Sequence, residues 1–263
     1  MPSDSPALTE AQVLRPAWAA SDRVGALMST RLGGTSVAPW DSLNLGTACG
    51  DDALAVAENR RRFAAKLGAT PVWLRQVHGT QVERVSRANA DAEPLQADAA
   101  WTDEPGIACT VQVADCMPVL LAAPDGRAVA AAHAGWRGLA GGVVEAALQA
   151  LCEAAQCPPR DVAVWLGPCI GARQFEVGAQ VLEAFGKSPR QPDQRCFVPR
   201  TAQDGSARWL ANLPQLARLR LIRAGVRHIT GSGDCTVEQP SRFFSFRRDG
   251  VTGRLAAAIW IRG

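Results

Sequence analysis

Three residues stand out for chemistry that packing does not demand: His78, Cys116 and His133, spaced 38 and 17 positions apart. Each lies at the end of an apolar run or at a break in one, close to a glycine or proline that opens the backbone. No single helix or knuckle unites positions so far apart, whereas the rim of a sheet can. Two imidazoles and a thiolate with one open position are a catalytic zinc composition. The same donors are the trigonal core of a blue-copper site, with Met117 as an axial sulfur. Without a metal, a thiol beside an imidazole is a nucleophile with its base. The spacing leaves all three readings open.

Further polar groups gather at the same breaks. Asp115 precedes Cys116 between two apolar strands, where packing gives little reason for an acid. In 132–138 (AHAGWRG) a strand gives way to a glycine-rich turn and a helix start that carry Trp136 and Arg137. Free N–H groups, the helix dipole and a guanidinium suit an anion there, although the segment is neither a Walker loop nor GxGxxG. Asn59 and Arg60 sit in a basic helical run that reads as a solvated face. Asp98 and Thr102 bracket a strand. Residues 167–171 (GPCIG) read as a structural turn of the kind that lines pockets. Residues 244–250 set Arg247 and Arg248 behind a strand, within reach of an anion. His228 reads as structural.

A scaffold of strands must bring these groups together. Residues 24–30 read as a strand, and Asp51-Asp52 cap a helix over 53–67 that stops at Gly68. Residues 72–77 and 81–85 read as a strand pair around the turn His78-Gly79-Thr80. The runs 97–102, 108–113, 118–123 and 128–133 are almost continuously apolar, which predicts strands covered on both faces. Helices are expected over 143–155, 177–185 and 213–224, and strands over 162–166, 243–246 and 254–261. The stretch 187–206 reads as an excursion between elements. This mixture predicts an α/β sandwich with some antiparallel pairing, one domain over 1–263 with 1–22 as an N-terminal extension.

Composition narrows the function. With 28 Lys and Arg against 25 Asp and Glu, 263 residues carry a net charge of +3, too weak to argue for nucleic acid or a membrane surface. Three histidines cannot ligate a four-copper set. The opening MPSDSPALTEAQVLR, with Asp4 and Glu10, lacks the basic-then-apolar pattern of a secretory signal, and no apolar run is long enough for a membrane span. Eight irregularly spaced cysteines then read as reduced thiols in a cytoplasmic protein.

Taken in order, the motifs RQVHGT (75–80), ADAAWT (97–102), VADCMPVLL (113–121), AHAGWRG (132–138), GPCIG (167–171), DCT (234–236) and FSFRRDGVTGR (244–254) are highly specific as a set. With NLG (44–46) and GDD…ENR (50–60), they make the chain resemble the YfiH-like family from about Ser29 to Trp260. The resemblance implies a layered α-β-β-α sandwich with mixed sheets and a zinc ion held by His78, Cys116 and His133. It implies phosphorolysis of adenosine, inosine, guanosine and methylthioadenosine to base and ribose phosphate, together with deamination of adenosine. Zinc lowers the pKa of water towards about 7, the chemistry that attack on C6 of adenine requires. Under this reading Cys116 and His133 are catalytic as well as ligands, and Asp115 or Asp98 moves protons. Arg60, Arg137 and Arg247 hold phosphate by charge-assisted forks, with Gln76 and Trp136 also binding substrate. The family's older label is a copper-dependent polyphenol oxidoreductase of laccase type. That activity and a metal-free cysteine hydrolase are the alternatives.

Overall fold

The computed structural model describes residues 7–202 and 204–263. The opening of the N-terminal extension, Asp4 included, lies outside the described residues, as does Gln203 in the excursion. The chain runs β1 (Val13–Leu14), β2 (Val24–Ser29), α1 (Ala53–Leu67), β3 (Thr70–Val72), β4 (Val82–Arg84), β5 (Ala99–Thr102), β6 (Ile107–Val113), β7 (Met117–Ala122) and β8 (Val129–Ala134). There follow α2 (Trp136–Gly141), α3 (Val143–Ala155), β9 (Ala163–Leu166), β10 (Glu176–Val177), α4 (Ala179–Ala184), β11 (Phe197–Thr201) and β12 (Ala207–Ala211). The last elements are α5 (Leu213–Arg223), β13 (His228–Gly231), α6 (Phe246–Asp249) and β14 (Leu255–Ile261).

Strand alternation builds the layers. On β14, Leu255, Ala257 and Ile259 join Met28 and Val111 against Leu120 and Val129 of the other sheet. The alternate residues Ala256, Ala258 and Trp260 pack with Phe63 and Leu67 of α1. On β7, Val119 and Leu121 pack with Val144 and Leu148 of α3 and Leu221 of α5, while Leu120 and Ala122 turn to the middle. Three apolar layers therefore separate helix, sheet, sheet and helix. Each fully buried leucine or isoleucine contributes roughly 1.5–3 kcal/mol. This is the layered α/β sandwich that the sequence predicts. The first sheet has the order β1-β2-β14-β6-β3, antiparallel except for β3 on β6. The second has the order β13-β9-β7-β8-β5-β4, parallel at both edges and antiparallel within.

Local signals fix α1: the Asp52 carboxylate accepts the Ala55 N–H at 2.8 Å, and Gly68 ends the helix at φ 65°. Helix α3 spans the predicted residues. No helix among the described residues is long and apolar enough to cross a membrane.

Several expectations need correction. The expected pair around His78 does not exist: β3 joins the first sheet and β4 the second, so 73–81 crosses between sheets. Two apolar runs around a turn look the same in sequence whether they pair or part. Residues 243–246 are no strand; Phe243 and Phe244 plug the layer between the sheets and α6 follows. The expected helix 177–185 shares its start with β10, and the excursion 187–206 contains β11, which pairs with β12 and through it with β10 in a small third sheet. Asn59 is buried, not part of a solvated face, and His228 is exposed at the start of β13.

Candidate active site

The crossings between the sheets carry the chemistry. His78 lies on the β3–β4 crossing and Cys116 on the three-residue crossing from β6 to β7. His133 sits near the end of β8, opposite Pro118 in register. By alternation Ala132 and Ala134 face the helix layer, so His133 faces the other sheet. One donor atom from each residue falls within 4.8 Å of the others. His78 Nε2 lies 3.7 Å from Cys116 Sγ, and the two imidazole rings meet edge to face at 4.8 Å.

The support beneath the cluster is polar and saturated. Asp98, fully buried, accepts the backbone N–H groups of Val77, His78 and Gly79 at 3.1, 2.9 and 2.7 Å. Its carboxylate also accepts from His133 Nδ1 at 2.8 Å, which turns Nε2 towards Cys116. One carboxylate thereby sets both the His78 loop and the His133 ring, the arrangement typical behind metal-bound histidine. Burial opposes the charge on Asp98, but the bonds from His133, Gly79 and Val77 outweigh it and hold the carboxyl below its ordinary value. Burial likewise opposes ionisation of Cys116 and His133, yet the imidazoles hold the thiol low while Cys116 and Asp98 hold His133 high. A thiolate balanced by positive charge is the state that a divalent cation would also favour.

Backbone shape confirms how tightly the cluster is built. His78 and Asp115 both have positive φ, 60° and 89°, costly for residues with a Cβ. Asp115 accepts the Thr236 hydroxyl at 2.6 Å and the Arg247 N–H at 2.6 Å, and its carbonyl accepts the Ile170 N–H. It ties three segments to the loop that presents Cys116. Gly135 leaves space beside His78 and Cys116. A Cβ there would lie 2.8 Å from His78 Cδ2 and 2.9 Å from Cys116 Sγ. Three donors this close together, two nitrogens and a sulfur, fit a single tetrahedral ion with one position free.

The cluster opens into a cleft of about 1090 Å³ at the end of the sandwich where β6 and β8 finish and β14 begins. Its wall carries five arginines, Arg60, Arg75, Arg137, Arg247 and Arg254, and two carboxylates, Asp115 and Glu93. Of the residues singled out from sequence, Trp136 and Gln76 also line it. The Gln76 amide is committed at both ends, donating to the Gln112 carbonyl at 2.8 Å and accepting the Gln112 N–H at 2.7 Å. Arg137 lies over the Trp136 ring at 4.4 Å. Arg247 donates to the carbonyls of Gln174 and Glu176. Asp98 lies behind the cleft, not on its wall. The sequence reading missed Arg254, Arg75, Glu93, Cys49 and the exposed Phe246 on the wall; FSFRRDGVTGR held two of them without marking which face the cleft.

The chain as a whole has counterparts among known proteins. The model of the multi-copper polyphenol oxidoreductase laccase family matches residues 25–262. A purine nucleoside phosphorylase of Pseudomonas aeruginosa is 46% identical over 95% of this chain and 98% of its own. The Escherichia coli purine nucleoside phosphorylase YfiH is 44% identical over 95% and 99%. The crystal structure of a Neisseria meningitidis protein, 43% identical, superposes with a TM-score of 0.87 over 96% of this chain and all of that one. YlmD from Geobacillus stearothermophilus, 33% identical, gives 0.82 over 96% and 99%. With the family model matched over nearly the whole chain and relatives this similar along their full length, the chain belongs to the laccase-domain family that includes YfiH.

Proposed function

We propose that the protein is a zinc-dependent purine nucleoside phosphorylase that also deaminates adenosine. The observation that carries this reading is a three-donor cluster with an open side, set in an arginine-walled cleft. The names of the relatives support the phosphorylase, and zinc, the deaminase and the choice among purine nucleosides are the proposal's own. His78, Cys116 and His133 would hold the ion, which when bound supplies Lewis-acid chemistry at its free position. Asp98 keeps His133 in the ligating tautomer, and Asp115 fixes the Cys116 loop. Cleft arginines hold phosphate against the ribose, with Trp136 and the Gln76–Gln112 clasp shaping the space for the nucleoside. For proton transfer, Asp115 and Glu93 are the carboxylates that reach the cleft. Copper is the second reading, favoured by the family's label, but with His228 exposed on β13 the chain has imidazoles for one such ion at most. We place the protein in the cytoplasm, where its eight free thiols stay reduced.

The test is purified protein with inosine and phosphate, followed for hypoxanthine with and without chelator, beside elemental analysis. Release that stops on chelation and returns with zinc supports the reading. Full activity in metal-free protein defeats the zinc version. Oxygen uptake with a phenol and copper, without hypoxanthine release, supports the oxidase.

A further inference from the structure

One stretch of the cleft wall holds cations without acids. Arg60 projects from α1, donates its Nε–H to the Leu45 carbonyl at 2.9 Å and lies over the Trp73 ring with Cζ 4.0 Å from its centroid. The guanidinium of Arg254, just before β14, donates among the described residues only to the carbonyls of Thr252 and Gly253, at 3.0 and 3.1 Å. Gly46 packs between Arg254 and Cys49: a Cβ there would lie 2.6 Å from both Arg254 Cγ and Cys49 Sγ. Both guanidinium groups are half-buried, and among the described residues neither meets a carboxylate. A cation withdrawn from water without a counterion is costly unless an anion arrives to match it. The stack on Trp73 and the carbonyl tethers hold the remaining N–H edges in place, which lowers the ordering cost of binding. The other arginines of the wall differ. Arg75 and Arg137 are exposed, and Arg247 is exposed with two carbonyls on one Nη.

We propose that Arg60 and Arg254 form the subsite for inorganic phosphate, gripping the dianion from two sides beside the loop Gly46–Cys49. This rests on the phosphorylase reading for its purpose, but not for its measurement. A phosphate has oxygens enough for two guanidinium forks at once, whereas a neutral nucleoside has none to match them.

The test is calorimetric titration of inorganic phosphate into the metal-loaded protein without nucleoside. Arg60→Gln and Arg254→Gln should each weaken binding about tenfold or more. Arg60→Lys should fall between, since an ammonium keeps the charge and loses the planar fork. Arg227→Gln, exposed and outside this cleft, should change nothing. In turnover the phosphate KM should rise about tenfold, with the nucleoside KM within about twofold of the parent. Melting temperature and metal content check folding, and Arg254→Gln and Arg60→Lys carry the test if Arg60→Gln does not fold. Phosphate binding that survives both glutamine variants, or that is lost in Arg137→Gln or Arg247→Gln instead, overturns the proposal. So does a parent protein that binds adenosine monophosphate through Arg60 but not free phosphate, because the anion would then be part of the substrate. Phosphate held by Arg60 and Arg254 with no purine released leaves the subsite standing and removes the phosphorylase.

Discussion

The two ends of the cleft wall are built on opposite principles. Around His78, Cys116 and His133 the supporting polar atoms are paired within the protein, and Asp98 alone takes four donors. Around Arg60 and Arg254 the charges lean on carbonyls and an indole and keep free edges. A site that keeps a resident ion needs rigid, satisfied ligands; one that takes and releases a reactant every cycle needs charge left unspent. The largest effect should therefore come from the saturated end. His133→Ala or Cys116→Ala should leave metal content near zero and lower phosphorolysis by about a thousandfold or more, since the charge stabilisation of the reaction goes with the ion. Elemental analysis and hypoxanthine release measure both. A variant that loses the metal and keeps turning over would show that the arginine end suffices.

Next in size is Asp98→Asn. The amide keeps the shape but replaces a charged acceptor for four N–H groups, and metal affinity should drop about 10–100-fold. The same carboxylate contributes to acid stability. Its native pKa lies below the ordinary 3.8, so the stabilisation is present above about 3.8 and disappears as pH falls through the lower native value. Acid unfolding of the parent should be steeper in that window than that of Asp98→Asn. Equal slopes would mean that the bonds to Asp98 do not set the His78 loop.

Gly135→Ala probes the same end more gently. Gly135 has an ordinary φ of −69°, so only the new methyl group matters. At 2.8 Å from His78 Cδ2 it must push something aside, and His78, exposed on its loop, can yield. Overpacking of this kind costs roughly 1–3 kcal/mol. Metal affinity should fall about tenfold, and unchanged affinity would mean that the ion sits away from Gly135.

Much of this is legible in the amino-acid sequence. Nearly continuous apolar strands demanded cover on both faces, and capping residues bounded α1. His78, Cys116 and His133 stood out because each interrupts an apolar pattern with a donor. What the pattern could not show is where neighbouring strands go. The runs flanking His78 read as partners, yet they belong to different sheets, and that parting is what lifts the histidine to the rim. Asn59 failed for a related reason. The run of basic residues after it suggested a wet face, while the side chain is buried to serve a loop fifteen to twenty-four residues upstream. Arg254 carried no signal of its own, because a basic residue before a strand is ordinary until the wall around it is known.

Asn59 also offers the smallest and most discriminating comparison. Its amide donates to Ser36 Oγ, the Ser42 carbonyl and the Asn44 carbonyl at 2.9, 3.1 and 2.9 Å, and its oxygen accepts the Thr35 N–H at 2.8 Å. These bonds hold the loop that ends in Leu45, whose carbonyl holds Arg60. Asn59→Ala leaves several buried groups without partners, which should cost about 3 kcal/mol and lower the melting temperature. Because Arg60 keeps its stack on Trp73, the phosphate KM should rise only a few-fold. None of these bonds touches Asp98, Asp115 or the donor cluster, so metal content should hold. If the metal leaves along with the phosphate affinity, the two ends are one cooperative unit, and the contrast between a fixed site and an open one dissolves.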